Sequence, residues 1–219
     1  MGTSGMDAKL IGLNNETGGV VMAPEVVFIN PKLVELCTPA SVWTDLNQHD
    51  ANRLHPHAFY NRGYFIESKR AGLILGGDWD VPASPHFSEL LEYVAVLEHI
   101  EERKHWSQSE FCKRCVRAIE LGYFSKGFKD TVEFIEGRVT QLEQLIASIK
   151  RFGVNTAYDV YDNISINIDS NGCYRFNNRG HHRLAIAQIL GLEKVPVLIV
   201  VMHEKARSFQ SVSLCNAKD

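Results

Sequence analysis

The nine residues RFNNRGHHR, 175–183, bring together Arg175, Arg179, Gly180, His181, His182 and Arg183. These residue types suit the holding of a phosphate oxygen. A glycine lets the backbone approach an oxyanion closely, a guanidinium makes forked, charge-assisted contacts, and an imidazole donates one hydrogen bond more. The apolar run that follows, LAIAQIL, reads as a helix, whose first amides lack intrahelical partners and carry roughly half a positive charge. Arg179, Gly180, His181, His182 and Arg183 are therefore the candidate phosphate-binding residues, with Arg175 as a further cation. Cationic side chains at a helix start oppose the macrodipole by about 0.3–1 kcal/mol each. A conflict of that kind between local preference and residue choice marks sites where function overrides stability. The bland alternative is a degenerate site whose histidines and arginines are structural.

A second group could supply acid, base or metal chemistry. GGDWD, 76–80, sets Asp78 and Asp80 on either side of Trp79, and in an extended chain alternate side chains point the same way. The pair is the candidate Mg²⁺ site or base, and Asp78, Asp80 and His182 are the candidate catalytic residues. The opposing reading is a Gly-Asp turn with Trp79 plugging the core. His203, just past the last apolar run, either lines the same mouth or is exposed. Cys112 and Cys115 form a CxxC, but no second CxxC or His pair completes a zinc site, and the segment reads as a helix face with Cys115 inward beside Phe111, Val116 and Ile119. His55 and His57 have metal-like spacing in a segment, 40–70, without a clean period, and are read as lying in an exposed loop.

The elements that must position these residues follow from periodicity. EVVFI, 25–29, reads as a short strand closed by Asn30 and Pro31, and GLIL before Gly76 as another. Three helices follow. Ser84 or Ser88 caps the first, which runs to about Arg103 with Phe87, Leu90, Leu91, Val94, Leu97 and Ile100 at helical spacing. Ser107 or Ser109 starts the second, which Gly122 ends. The third covers about 131–151, with Ile135, Val139, Leu142, Ile146 and Ile149 as a stripe for a core or a partner helix, and Gly153 as its stop. The period then changes to two. Ile164, Ile166 and Ile168 alternate with Ser165, Asn167 and Asp169 as a half-buried strand, Ser170-Asn171-Gly172 turns the chain, and Tyr174 and Phe176 return it. After the short helix, closed by Gly191, VPVLIVV, 195–201, is a strand that wants cover on both faces.

Composition bounds the class. A chain of 219 residues with 45% hydrophobic and 22% charged residues supports a sizeable core, and a net charge of −3 provides no global attraction for nucleic acid or an anionic membrane. No apolar run approaches the ~20 residues of a membrane span, and the N-terminus lacks a signal peptide's apolar core. Met6 occupies the place where a myristoylation signal wants Ser or Thr. A cytoplasmic location is expected, with the five cysteines as reduced thiols.

The hairpin, RGHHRLAIAQILGLEKVPVLIVV and the strand it contains resemble the ParB/sulfiredoxin-like superfamily. Its G-x-[HR]-R element opens a helix, followed by a glycine and a [VI]PV strand. The likeness covers about residues 160–205, and more weakly 25–29 with NPKLVE. GGDWD, HWSQSEF and the long helix also resemble an uncharacterised group of ParB-like proteins. The resemblance implies an α+β fold, a mixed sheet with a crossover helix. Around it we expect a flexible arm, 1–24, and one domain, 25–219, whose helical insertion at about 84–152 forms an added layer. It implies a nucleotide site for ATP, ADP or CTP with Mg²⁺, Gly180, His182 and Arg183 on the phosphates, and a kinase or NTP-hydrolase reaction on a small-molecule acceptor. His181 stands where sulfiredoxin-like members place their reactive cysteine, which puts that chemistry in doubt. With about 18 residues after Val201, a downstream helix-turn-helix domain does not fit. Two further readings stand beside it: a nucleic-acid-binding or nuclease module gripping a backbone phosphate, and a non-catalytic interaction protein forming a homodimer through the 131–151 helix.

Overall fold

The computed structural model describes residues 20–38, 71–81, 83–122, 127–177 and 179–208. Residues 1–19 of the expected arm, and the 40–70 segment with His55 and His57, lie outside the described residues.

The continuous apolar run VPVLIVVMH becomes the long central strand of the sheet, as its composition requires: with side chains alternating between faces, an all-apolar strand needs cover on both. Numbering in chain order, the strands are β1 (Val20–Val21), β2 (Val26–Ile29), β3 (Val34–Cys37), β4 (Leu73–Leu75), β5 (Ile164–Ile168), β6 (Tyr174–Phe176) and β7 (Val195–His203). The order is β1-β4-β7-β5-β6-β3, and β2 pairs the first half of β7 antiparallel, Val26 opposite Leu198 and Ile29 opposite Val195. β4 follows on the same edge, parallel to the second half of β7, and β5 lies parallel along the other edge. The mixed sheet expected from the sequence is present. β1 and β3 were not expected, and β1 corrects the boundary of the arm: Val20 and Val21 already pair with β4, and the Met22 amide donates to the Gly72 carbonyl at 2.7 Å.

One face of the sheet carries the helices α1 (Leu91–Ile100), α2 (Glu110–Glu120), α3 (Thr131–Glu133), α4 (Val139–Phe152) and α5 (His181–Ile189). Except for α3, whose Val132 is exposed, their apolar residues share one cluster with Ile164, Ile166, Phe176, Val195 and Val197 of the strands. α5 leaves β6, crosses over β5 and feeds β7, so the connection between the parallel neighbours β5 and β7 consists of β6 and α5. Ser109 caps α2 through the Cys112 amide at 3.2 Å, and Phe111, Cys112, Cys115, Ala118 and Ile119 are buried. Among the described residues no helix is long and apolar enough to cross a membrane.

Three expectations need correction. The N-cap of α1 is Leu90, not Ser84 or Ser88; the Ser84 hydroxyl accepts from Arg175 at 2.7 Å, and the face α1 buries is Glu92, Ala95 and Val96. In the third helical segment a π-helical turn, Phe134–Arg138, separates α3 from α4. The wider turn shifts the register, so Phe134 is fully buried and Ile135 is exposed, while Leu142, Ile146 and Ile149 enter the core. Those three residues of the stripe are taken up inside the molecule. Finally, Cys173 is disulfide-bonded, so the five cysteines are not all thiols; Cys37, Cys112 and Cys115 are buried thiols.

Candidate functional site

Gly180 is the N-cap of α5, in the left-handed region at φ 88°. A Cβ built there would stand 2.8 Å from Cγ1 and 3.0 Å from Cα of the buried Ile164, so the chain needs glycine for both conformation and space. Ser165 clamps the loop that leads in. Its amide donates to the Arg179 carbonyl at 3.0 Å, its hydroxyl accepts from the Arg179 amide at 2.9 Å, and its carbonyl accepts from the Asn177 amide at 2.9 Å. The first bond of the helix runs from the Leu184 amide to the Gly180 carbonyl at 2.9 Å, which leaves the amides of the first turn at the helix mouth.

A turn of 3-10 helix, Val160–Asp162, forms the rim of this mouth, with its cap Asp159 accepting from the Tyr161 amide. Arg179 pairs with the Asp162 carboxylate, Nη2 to Oδ1 at 2.5 Å, with both side chains half-exposed. Arg183 reaches the same residue differently: its Nη2 donates to the main-chain carbonyl of Asp162. Burial pulls the Arg183 guanidinium below its usual range, Asp162 works against that, and Arg179 adds to it. Among the described residues, two guanidinium groups thus meet at Asp162 beside a helix N-terminus, one on its carboxylate and one on its main-chain carbonyl.

The two histidines diverge. His181 lies against Phe176, ring centres 4.9 Å apart. His182 is buried and turned into the helical layer, edge-on to Phe111 at 5.4 Å, with Nδ1 3.3 Å from Nη2 of Arg138. Its contribution to the mouth is through the position of the backbone.

The remaining predicted residues are at the other end of β5. Asp78 is exposed and Asp80 buried, because residues 78–81 form a turn closed by the Val81 amide on the Asp78 carbonyl at 3.2 Å; they do not point the same way as an extended chain requires. Asp80 Oδ2 accepts from the Ser170 amide in the β5–β6 turn at 2.6 Å. Burial, the largest single influence, pushes the Asp80 carboxyl up. The hydrogen bonds from Ser170, that from its own amide and the nearby His203 together outweigh it, and its pKa lies below the ordinary value of 3.8. His203 is buried, its Nδ1 accepting from the Lys205 amide at 3.1 Å and its Nε2 donating to the Gly77 carbonyl at 2.8 Å. Arg175 is also buried and spent on structure, Nε donating to Asp169 Oδ2 at 2.9 Å.

Gly180 touches Ile164 at the start of β5, and Asp80 meets Ser170 beyond its end. The strand between them spans roughly 13 Å at ~3.3 Å per residue. The structure therefore gathers Arg179, Gly180 and Arg183 and leaves Asp78, Asp80, Arg175 and His203 apart from them. Among the described residues no group of three His, Cys, Asp or Glu side chains is placed to hold a metal ion. Sequence reasoning missed Asp162, Ser165 and Arg138, which reach the site from sequence distances that no local period reports. Searches of family models, curated proteins and solved structures find no match to this chain.

Proposed function

We propose that this chain binds a phosphate-bearing ligand, a nucleotide, at the N-terminus of α5, with Arg179, Arg183 and the first-turn amides around an anionic oxygen. One observation carries the reading: two guanidinium groups flank the helix start and meet at Asp162, where only Arg179 is matched by the carboxylate. Arg183 rests on a carbonyl, a neutral partner that a phosphate oxygen can outcompete. The resemblance of this segment to the ParB/sulfiredoxin-like superfamily points the same way, and extends the proposal to phosphoryl transfer or hydrolysis on a small-molecule acceptor. In such a reaction the arginines would neutralise charge on the transferred group. Asp78 and Asp80, at the far end of β5, have no part in this reading; a Mg²⁺ ion would arrive on the nucleotide.

A thermal-shift series with ATP, CTP, ADP and inorganic phosphate, with and without Mg²⁺, tests it. A ligand at about 100 times its Kd stabilises by about 2.7 kcal/mol. Wild-type protein should shift with at least one nucleotide, and Arg183→Ala should abolish the shift. No shift with any of them would remove the proposal. DNA or RNA binding with a steep salt dependence, in the absence of a nucleotide shift, would put a nucleic-acid backbone in the nucleotide's place.

A further inference from the structure

Behind the first turn of α5 lies a second set of polar groups, inside the helical layer. Glu92 of α1 is fully buried, as is Cys115 of α2, with Cys112 nearly so. Into this surrounding the π-helical turn sends Arg138. Burial lowers the affinity of its guanidinium for the proton, and Cys115, Glu92 and Cys112 act in the opposite sense, which places all three near it. Its Nη1 donates to Gln141 Oε1 at 3.2 Å and its Nη2 to His182 Nδ1 at 3.3 Å. Burying a charge in a helical core is costly, and such a group is kept where it fixes one arrangement of its neighbours.

The π-turn itself is held by packing. A Cβ on Gly137 would come within 2.9 Å of the Phe128 ring, so glycine lets that ring close over the widened turn. A π-turn inserts one residue into the helical register, and such insertions recur at functional sites. Here it sets where Arg138 points. A guanidinium can only donate, so Nδ1 of His182 must accept and the imidazole proton stays on Nε2. One side chain therefore fixes the ring of the residue two places beyond Gly180.

We propose that Arg138 is a positioning residue for the α5 site: through His182 it anchors the first turn, Gly180 to Arg183, where the ligand's anionic oxygen is received, without touching the ligand. The inference rests on the nucleotide reading above.

The experiment combines binding with a direct reading of the imidazole. In the full-length protein, side-chain ¹⁵N spectra should show His182 with an unprotonated Nδ1 and a protonated Nε2. Arg138→Met should redistribute the proton between the two nitrogens and weaken the Kd for ATP about tenfold, the scale of losing a supporting outer-shell partner. Arg138→Lys, which keeps a charged donor, should recover the wild-type spectrum and most of the affinity. Should Arg138→Met not fold, Arg138→Gln is measured in its place by the same two readings. An Arg138 variant that folds and binds ATP as the wild type does, while Arg183→Ala abolishes binding, overturns the inference and leaves the nucleotide reading standing. A wild type that binds neither ATP nor inorganic phosphate overturns the nucleotide reading, whatever the His182 spectrum shows, and the inference with it.

Discussion

Gly180 combines two demands that no other residue meets: a left-handed backbone and contact with Ile164 on the side where a Cβ would project. Gly180→Ala should therefore destabilise the fold by about 2–3 kcal/mol, from the left-handed penalty together with displacement of a buried side chain. Urea unfolding measures this directly, and a loss below about 0.5 kcal/mol would show that the loop relaxes freely. Asp80 makes a prediction of a different kind. Its folded pKa lies below 3.8, so its contribution to stability is complete above the unfolded value and is lost as pH falls through the folded one. Asp80→Asn should flatten the decline in urea midpoint between about pH 5 and about pH 2. Equal slopes for the two proteins would count against the hydrogen bond from Ser170 as the cause.

At the level of elements, β5 shows how a correct strand can carry a wrong inference about its faces. Its alternation of Ile with Ser, Asn and Asp marks a strand, yet every residue of β5 is buried, the polar ones included. Asn167 explains why. Its Nδ2 donates to Thr38 Oγ1 at 2.9 Å and to Asn177 Oδ1 at 3.2 Å, and its Oδ1 accepts from the Val201 amide at 3.1 Å, where the β5–β7 register slips. The side chain completes a ladder that the irregularity leaves open. Asn167→Ala should cost about 2–4 kcal/mol, because it strands buried partners as well as removing contacts. Chemical denaturation decides it, and a near-neutral result would mean that water replaces the amide. The third helical segment carries the same lesson: the sequence spacing runs a regular stripe through Ile135, but the π-turn hands that place to Phe134.

For the molecule as a whole, the decisive quantity is the length of one strand. Two polar groups that looked like halves of one site sit at opposite ends of β5, a strand roughly 13 Å long. Titration calorimetry should find that Asp80→Asn leaves the nucleotide Kd within about twofold of wild type while Arg183→Ala, which removes a charge-assisted contact, leaves no measurable binding. An Asp80 variant that lost binding would mean that the two ends act together.

Apart from the short strands β1 and β3 and the π-turn, the elements and their order were legible from side-chain periodicity, because a period of two or 3.6 is a local property of the chain. So the β5–β6 hairpin, α2 with its Ser109 cap, α5 opening at Gly180 and the buried β7 could all be read in advance. So could the concentration of cationic residues around Gly180, which lie within a few positions of one another. Which of those cations face the mouth could not. Arg175 turns to Asp169, His182 turns to Arg138, and Arg179 and Arg183 meet at Asp162, and each partner is brought there by the packing of a different element. Long-range pairing of charges depends on how strands and helices stack, and that stacking leaves no period in the sequence.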